Sequence, residues 1–237
     1  MKIPKKVYLT WNDCGVVNLD HPMINKGVQS LIDLNPDWEV EVFDNNDVNE
    51  YMQANMPAEY WELIKDAHIV EKTDVWRMLK LYREGGIYVD IDRWCNKKLS
   101  DIIPEDAICV LPTCEDTDFS QDIMISAPAS PILDAALQAH FQRREEGHTS
   151  VYFLGPQTYM HAVTHTLFGE VVDTNPGAEV FNQMRDLINR IDGFYTYRES
   201  PPSNTFLYEG EESWDEWEAM KRSFYADQGI KHWTGEW

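Results

Sequence analysis

Two aspartates separated by one residue, Asp90 and Asp92, are the strongest candidates for chemistry in this sequence. They close an apolar segment that starts after Gly85 and Gly86, so the sequence predicts them at the carboxyl end of a buried strand. Side chains two residues apart on a regular strand point the same way, so both carboxylates could reach one hard cation. Such a cation prefers oxygen ligands and bridges readily to phosphate oxygens. The alternative interpretation is a strand end with two exposed acids.

A second D-x-D, formed by Asp116 and Asp118, shows how easily so short a motif arises by chance. It lies in the polar residues 113–121, which contain no apolar segment typical of a strand. We therefore expect a solvated loop there. In open α/β sheets, ligands bind outside the carboxyl ends of strands, and this context favours Asp90 and Asp92 as the functional pair.

Asp74 and Arg77 form another candidate pair, because residues three apart are neighbours on one face of a helix. Residues 70–84 carry apolar side chains at i, i+3, i+4 and i+7, which predicts an amphipathic helix. The alternative is an ordinary ion pair on the helix surface, worth only about 0.2–0.5 kcal/mol.

The elements that must position these residues alternate between strands and helices along the chain. This alternation predicts an α/β domain with a Rossmann-like, mostly parallel central sheet flanked by helices. The predicted strands cover residues 5–11, 38–43, 87–92, 107–112 and 122–126. The predicted helices cover residues 25–34, 48–55, 58–67, 70–84, 131–143, 155–168, 179–191 and 214–224.

The charge of the chain limits its partners. The 237 residues, a length that suits one domain, contain 20 basic and 41 acidic side chains, a formal net charge of −21. This charge excludes general affinity for nucleic acid and polybasic attraction to anionic lipid. Because the protein's own field would oppose an anionic ligand such as a nucleotide diphosphate, a divalent cation would have to mediate its binding.

The cysteines and the apolar segments bear on the compartment. The chain has four cysteines and no CxxC pair, which favours free thiols in a reduced compartment over a zinc site. Its apolar runs are too short for a signal peptide or a membrane span. We therefore expect a cytoplasmic protein without a transmembrane segment.

Residues 72–92 resemble the signature of the D-x-D sugar transferases of glycosyltransferase family 32, a block shared with the large glucosylating toxins. The family pattern is A/S/T-D-x-x-R, a helix, and then G-G-x-Y-x-D-x-D, and every fixed position is present. Shorter resemblances occur in residues 3–11, where Tyr8 replaces the customary His, and in residues 34–38. A G-P turn at residues 155–156 and a closing H-x-x-x-x-W extend the likeness to the end of the chain.

The resemblance implies a GT-A fold and transfer of a hexose from a nucleotide sugar, with retention, to a glycan or other hydroxyl acceptor. A UDP-hexose donor is favoured, GDP-mannose is possible, and Mn²⁺ or Mg²⁺ is the expected cofactor. Residues 1–237 would form one domain, with residues 1–110 binding the nucleotide sugar. Residues 111–237 would form the acceptor half with a C-terminal flap.

Carried over by position, the resemblance also implies the residues that hold the nucleotide and the ion. Asp92 would ligate the metal directly, and Asp90 would contact the ribose or the water shell of the metal. Tyr88 would lie beside the nucleotide. His232 would contact the metal or the diphosphate from a flap that ends with Trp237, itself a nucleotide-sugar contact.

The same comparison implies the residues that surround the donor sugar and the base. Asp74 and Arg77 would hold hydroxyl groups of the sugar as catalytic residues. Trp11 would stack on the base with Thr10 beside it, although a Trp11 ring buried in the core is an equal alternative. Asp122 stands where the family usually has Asn, so it is a catalytic candidate whose approach to the sugar stays open.

Two other classes of protein remain as alternatives. A phosphotransferase of the haloacid dehalogenase type also uses D-x-D and Mg²⁺, but there the motif ends the first strand. A transferase that has lost activity would still bind a nucleotide sugar without turnover. His161 and His165 have zinc-compatible spacing but lack the HExxH glutamate, and residues 44–50 resemble a calcium loop less than a helix cap.

Overall fold

A seven-stranded sheet covered by helices forms the frame of the protein. The computed structural model describes residues 2–114, 118–198 and 214–232. The strands are β1 (Lys6–Thr10), β2 (Glu39–Phe43), β3 (Gly86–Val89), β4 (Cys109–Cys114), β5 (Asp118–Phe119), β6 (Ile123–Ser126) and β7 (Phe194–Arg198). Within the described ranges, no helix is both long enough and apolar enough to span a lipid bilayer.

The helices connect these strands and cover the sheet. Short 3₁₀ and π segments, Cys14–Asn18 and Asn25–Gln29, accompany the α-helices near the amino terminus. The α-helices are α1 (Pro22–Ile24), α2 (Ser30–Leu34), α3 (Asn45–Asn55), α4 (Ala58–Ile64), α5 (Ile69–Glu84), α6 (Leu99–Ile102), α7 (Pro131–Glu145), α8 (Val151–Leu154), α9 (Pro156–Phe168), α10 (Ala178–Ile188) and α11 (Trp214–Asp227). The predicted α/β class, with helices flanking a central sheet, is confirmed.

The strand order is β2-β1-β3-β6-β4-β5, and β7 lies beside β4. Strand β1 pairs in parallel with both β2 and β3, and β7 pairs in parallel with β4. Strand β6 runs antiparallel to β3 and β4, and β5 runs antiparallel to β4. The sheet is therefore mixed, and its parallel part is the part that leads into the D-x-D motif.

Alternating side chains of the strands supply the two halves of the core. Val7, Leu9 and Ile87 belong to one buried cluster, which also receives aromatic side chains of α11. Tyr8 and Tyr88 are the direct sequence neighbours of these residues, and they belong to the other cluster together with side chains of α5, α7 and α9. Successive side chains of a strand point to opposite faces, so both faces of the sheet are buried.

The helix that carries Asp74 and Arg77 is confirmed almost to its predicted bounds, as α5. It ends at Gly85, which has a φ of +66° and a ψ of −176°. That backbone conformation is essentially restricted to glycine, and it turns the chain directly into β3. A Cβ atom at Gly85 would also lie 2.6 Å from Cδ of Pro128 and 2.9 Å from Cδ of Pro4.

The expectation of a solvated loop at residues 113–121 is wrong. Strand β5 lies within this segment, and the Phe119 side chain is only 1% exposed. The Phe119 ring packs 5.1 Å from the ring of Phe181 on α10. Burial of this one aromatic side chain stabilises the strand although its neighbours are polar. A polarity average over the whole segment hides the contribution of a single ring. Asp116 lies outside the described residues.

Two further elements, α6 and α8, and strand β7 lie where no element was predicted. Strand β4 spans residue 110, so one sheet continues across the boundary between the two predicted halves. The single-domain organisation and the separate roles of the halves stay predictions.

Replacing Gly85 with alanine tests the link between α5 and β3. We expect Gly85→Ala to lower the free energy of unfolding by more than about 3 kcal/mol, because a strained backbone and two proline rings oppose the methyl group. Gly147 also has a positive φ, +89°, but a Cβ atom there would meet nothing within 4 Å. Gly147→Ala should cost only about 1–2 kcal/mol in urea unfolding. Equal costs at the two positions would contradict this account.

Candidate active site

The D-x-D motif forms a turn just past the end of β3. The strand ends at Val89, and the Arg93 backbone N–H donates to the Asp90 carbonyl at 3.0 Å. The Asp90 backbone N–H donates to the Asp122 carbonyl at 2.7 Å, which ties the turn to the start of β6. The predicted strand over residues 87–92 is therefore too long. The turn, and not the alternation of a strand, sets the directions of the two carboxylates.

Asp90 lies in a partly open position with strong local partners. Its Oδ1 accepts a hydrogen bond from the Tyr88 hydroxyl at 2.6 Å and lies 3.5 Å from Arg77 Nη1. The side chain is 33% exposed, so a ligand can reach it. Burial raises the pKa of Asp90 above its ordinary range, although the Arg77 charge opposes this effect.

Asp92 is held much more tightly by α11. Its side chain is only 4% exposed, and Oδ2 lies 2.7 Å from Lys221 Nζ. The Tyr225 hydroxyl donates to Oδ2 at 3.4 Å, and Trp217 Nε1 donates to the Asp92 carbonyl at 2.9 Å. Burial alone would raise the pKa of Asp92, but the charges of Lys221 and Arg93 outweigh it and hold this pKa below its ordinary range.

The Asp74–Arg77 pair is buried and not an ordinary surface ion pair. Asp74 Oδ1 lies 3.0 Å from Arg77 Nη2, and both side chains are 8% exposed. Arg77 Nη1 donates to the Gln121 carbonyl at 2.7 Å, and the guanidinium lies 4.3 Å from the centre of the Tyr88 ring. Burial raises the pKa of Asp74 to about 6, against the opposing charge of Arg77. Perturbation by burial and a specific charge partner is typical of functional sites.

Gly155 packs directly against Asp74. A Cβ atom on Gly155 would collide with Asp74 Oδ2 and would lie 3.1 Å from Gln121 Oε1. The Gln121 Oε1 atom is buried and has no hydrogen-bond partner in the described part of the chain. Asp74 and Gln121 thus present carboxylate and amide oxygens side by side, an arrangement suited to hydroxyl groups of a ligand.

These groups surround a cavity of about 630 Å³. Nine of the residues singled out from the sequence line it, namely Thr10, Trp11, Asp74, Arg77, Tyr88, Asp90, Asp92, Asp122 and His232. Trp237 lies outside the described residues. The structure therefore brings together side chains from β1, α5, β3, the start of β6 and the segment after α11.

Thr10 and Trp11 form the wall of the cavity at the end of β1. The Thr10 hydroxyl lies 3.1 Å from the Tyr88 hydroxyl, so the two form a hydrogen bond. The half-buried Trp11 ring stacks on Phe224 with a centroid distance of 5.1 Å, and Tyr225 contacts its edge at 5.2 Å. The Trp11 ring therefore both packs against the core and lines the cavity. Its stacking on a base stays a prediction.

Asp122 and His232 both line the cavity. Asp122 forms an ion pair with Arg93, the residue that directly follows the D-x-D. The His232 ring lies 5.5 Å from the Tyr225 ring, and its charge is among those that lower the pKa of Asp92. Their roles toward the sugar and the metal stay predictions.

Sequence reasoning missed Lys221, Arg93, Tyr225 and Gln121 as site residues. Arg93 follows the motif directly, so its position was a usable signal. Gln121 precedes a residue already singled out, Asp122. Lys221 and Tyr225 lie on a distant helix, and no local pattern indicates where that helix packs.

The weaker motifs have structural roles among the described residues. His161 Nε2 lies 2.7 Å from Asp173 Oδ1, with Arg143 at the other ring nitrogen. Asp44 and Asp47 form a capping box at the start of α3, which confirms the predicted helix cap in residues 44–50. Cys14 lies near these two acids, and the same capping bonds account for the cluster.

The donor set at the D-x-D fits a hard divalent cation. Asp92 Oδ1 is buried and has no hydrogen-bond partner among the described residues, so it is an orphaned acceptor. Buried polar atoms of this kind are uncommon and call for a ligand or an ion. Asp90 supplies a second, accessible carboxylate. Carboxylate oxygens are the ligands that Mg²⁺ prefers, and Mn²⁺ accepts them as well.

Residues 22–109 match the family described as "Glycosyltransferase sugar-binding region containing DXD motif". This stretch is therefore similar to the DXD-containing region of glycosyltransferases. It includes Asp74, Arg77, Tyr88 and both aspartates of the motif, and it confirms the resemblance found in the sequence. The matched stretch lies in the part of the fold that builds β2, α5 and β3.

Curated relatives carry mannosyltransferase names. The chain is 31% identical over 102 residues to inositol phosphoceramide mannosyltransferase 3 of Schizosaccharomyces pombe, an alignment of 43% of this chain and 27% of that protein. It is 32% identical over 140 residues to inositol phosphoceramide mannosyltransferase 2 of the same organism, covering 57% of this chain and 38% of that protein. The chain thus spans well under half the length of these relatives.

A solved structure shares the fold. PaToxG glycosyltransferase superimposes with a TM-score of 0.55 at 18% sequence identity, covering 78% of this chain and 75% of that one. At this level of identity the likeness shows the fold alone. The GT-A fold predicted from the sequence is confirmed.

Removing the Arg77 charge tests how much this cation stabilises the protein by pairing with the buried acids. We expect Arg77→Met to lower the free energy of unfolding by about 3–5 kcal/mol at pH 7.5, since Asp74 and Asp90 lose their shared cation. The loss should shrink as the pH falls from 7.5 through about 6, because Asp74 is then protonated in the wild-type protein as well and no longer needs the cation.

Urea unfolding at several pH values measures this effect. Arg83→Met is the matched control, because Arg83 is exposed and its guanidinium donates to the backbone carbonyl of Asn55. It should cost less than about 1 kcal/mol at every pH. A loss in Arg77→Met that did not change with pH would contradict the electrostatic explanation.

Proposed function

We propose that this protein is a metal-dependent retaining glycosyltransferase that moves a hexose from a nucleotide sugar to a hydroxyl acceptor. The observation that carries the proposal is the common cavity lined by the D-x-D carboxylates and the buried Asp74–Arg77 pair. The family match over residues 22–109 and the GT-A fold support it. Both favour a sugar transferase over the phosphotransferase alternative.

The D-x-D side of the cavity would bind the diphosphate end of the donor. Asp92 would ligate Mn²⁺ or Mg²⁺, with Asp90 and His232 as further contacts to the ion, its water or the ribose. Bound there, the cation supplies positive charge to the diphosphate as it leaves, where transition-state charge is greatest. In a chain of net charge −21, this local neutralisation is a requirement for binding the donor.

The Asp74 side of the cavity would orient the hexose. The free Gln121 Oε1 and the Asp74 carboxylate can both accept hydrogen bonds from sugar hydroxyls. Arg77 fixes the Asp74 carboxylate through Oδ1 and so sets the direction of the remaining oxygen. We assign no covalent nucleophile, since the resemblance implies a reaction on a single face of the sugar with retention. Asp122 stays a candidate for contact with the reacting sugar.

The identity of the donor follows less directly. The resemblance favours a UDP-hexose, whereas the curated relatives are named as mannosyltransferases and make GDP-mannose the second donor to test. The names of these relatives point to an inositol phosphoceramide acceptor, which is one hydroxyl-bearing acceptor to test beside a glycan. The cytoplasmic location stays a prediction.

Donor binding and turnover test the proposal. Titration calorimetry with UDP-glucose, UDP-galactose and GDP-mannose, each with and without Mn²⁺, should show metal-dependent binding of at least one donor. Asp92→Asn should lower donor hydrolysis at least about 100-fold, because the ion loses its buried carboxylate.

The exposed Asp66 provides a control that removes the same charge at a position that does not line the cavity. Asp66→Asn should keep full hydrolysis, and circular dichroism should show that both variants are folded. Metal-independent binding, or binding of none of the three donors, would count against the proposed function. Binding without hydrolysis in the wild-type protein would favour the non-catalytic alternative.

A further inference from the structure

Lys221 lies where a cation bound by Asp92 would be expected. Its Nζ atom is 2.7 Å from Asp92 Oδ2, and the two side chains are only 15% and 4% exposed. The lysine comes from α11, far from the D-x-D in the sequence and outside the matched stretch of residues 22–109. A buried ion pair of this length is a strong local interaction, since each charge would be costly without the other.

The surroundings of Lys221 hold its ammonium group at the cavity wall. The Trp217 ring centre lies 4.9 Å from Nζ, and the Tyr225 ring centre lies 5.7 Å away, both within the range of cation–π contacts. The same two residues donate hydrogen bonds to Asp92. Helix α11 therefore carries both the counter-charge of Asp92 and an aromatic platform that can keep this charge after it leaves the carboxylate.

A divalent ion and the Lys221 ammonium would repel each other if both contacted the Asp92 carboxylate. An ion ligated by this carboxylate would lie about 2.0–2.6 Å from an oxygen. The ammonium would then be only a few ångströms from a double positive charge, and in a partly buried site this repulsion is large. Binding of the ion, even at the unpartnered Oδ1, therefore favours movement of the lysine away from Oδ2.

We propose that Lys221 is the resident counter-ion of Asp92 and that a divalent cation binds the D-x-D by displacing it. This inference rests on the proposed function, because it takes the D-x-D as the metal site. The protein alone then binds the ion weakly, since a buried ion pair must be broken first. A diphosphate offers the displaced ammonium a new anionic partner, so the ion and the nucleotide favour each other's binding.

Mn²⁺ binding without nucleotide tests the displacement directly. The signal of free Mn²⁺ in electron paramagnetic resonance gives the dissociation constant without any need for turnover. We expect Lys221→Met to bind Mn²⁺ at least about tenfold more tightly than the wild-type protein, because Asp92 no longer has an internal partner. Lys221→Arg keeps a permanent charge and should stay within about threefold of the wild-type value.

Two controls separate the site from general electrostatics. Lys65→Met removes the same charge at an exposed position, where Lys65 forms an ion pair with Glu62. It should not change Mn²⁺ affinity by more than about twofold. Asp92→Asn should abolish the binding in every background.

Thermal unfolding gives a second readout that does not depend on spectroscopy of the ion. In EDTA, Lys221→Met should melt below the wild-type protein, because Asp92 is buried without a partner. Mn²⁺ should raise its melting temperature by more than it raises that of the wild-type protein, in line with the tighter affinity. Lys221→Gln carries the same two expectations and replaces Lys221→Met if that variant folds poorly.

The possible failures are distinguishable. Unchanged or weaker Mn²⁺ affinity in the neutral Lys221 variants, with binding still lost in Asp92→Asn, would overturn the counter-ion role and leave the proposed transferase intact. Mn²⁺ binding that survives Asp92→Asn would place the ion elsewhere and overturn both the counter-ion role and the metal assignment.

Discussion

The Arg77 guanidinium gathers acids that could not otherwise be buried close together. It lies 3.0 Å from Asp74, 3.5 Å from Asp90 and 2.7 Å from the Gln121 carbonyl, with the Tyr88 ring stacked against it. Without this charge, mutual repulsion and desolvation would drive both carboxyls toward their neutral forms. A neutral carboxyl is a poor ligand for a cation, so under the proposed function the contact of Asp90 with an ion would depend on a residue that need not touch the ion.

The cations of the protein are few, and several of them surround the cavity. Arg93 pairs with Asp122, and Lys221 pairs with Asp92. The cavity is therefore close to locally balanced, although the whole chain carries a net charge of −21. This balance explains how a strongly acidic protein can still present a site for an anionic donor. The remaining attraction for a diphosphate has to come from charges that become available when the donor and its ion arrive.

Local patterns predicted the parts of the site that neighbours in the sequence determine. The 3.6-residue period gave α5 its bounds, and the i, i+3 spacing placed Asp74 beside Arg77. The turn at the D-x-D was not predicted, because the apolar run suggests a strand and the bond from Arg93 to the Asp90 carbonyl ends it. The contact of Lys221 depends on where α11 packs. That packing is a property of the whole core and leaves no trace in a short window.

The matched stretch of residues 22–109 contains both aspartates of the motif but only part of their surroundings. Trp11 precedes this stretch, and Asp122 and Lys221 follow it. Under the proposed function, the signature would fix which oxygens face the cation, while α11 would decide what competes with the cation for those oxygens. Two chains with the same D-x-D can therefore hold an ion with very different strength. Metal affinity in such proteins should follow the charge and packing of the helix over the motif more closely than the motif itself.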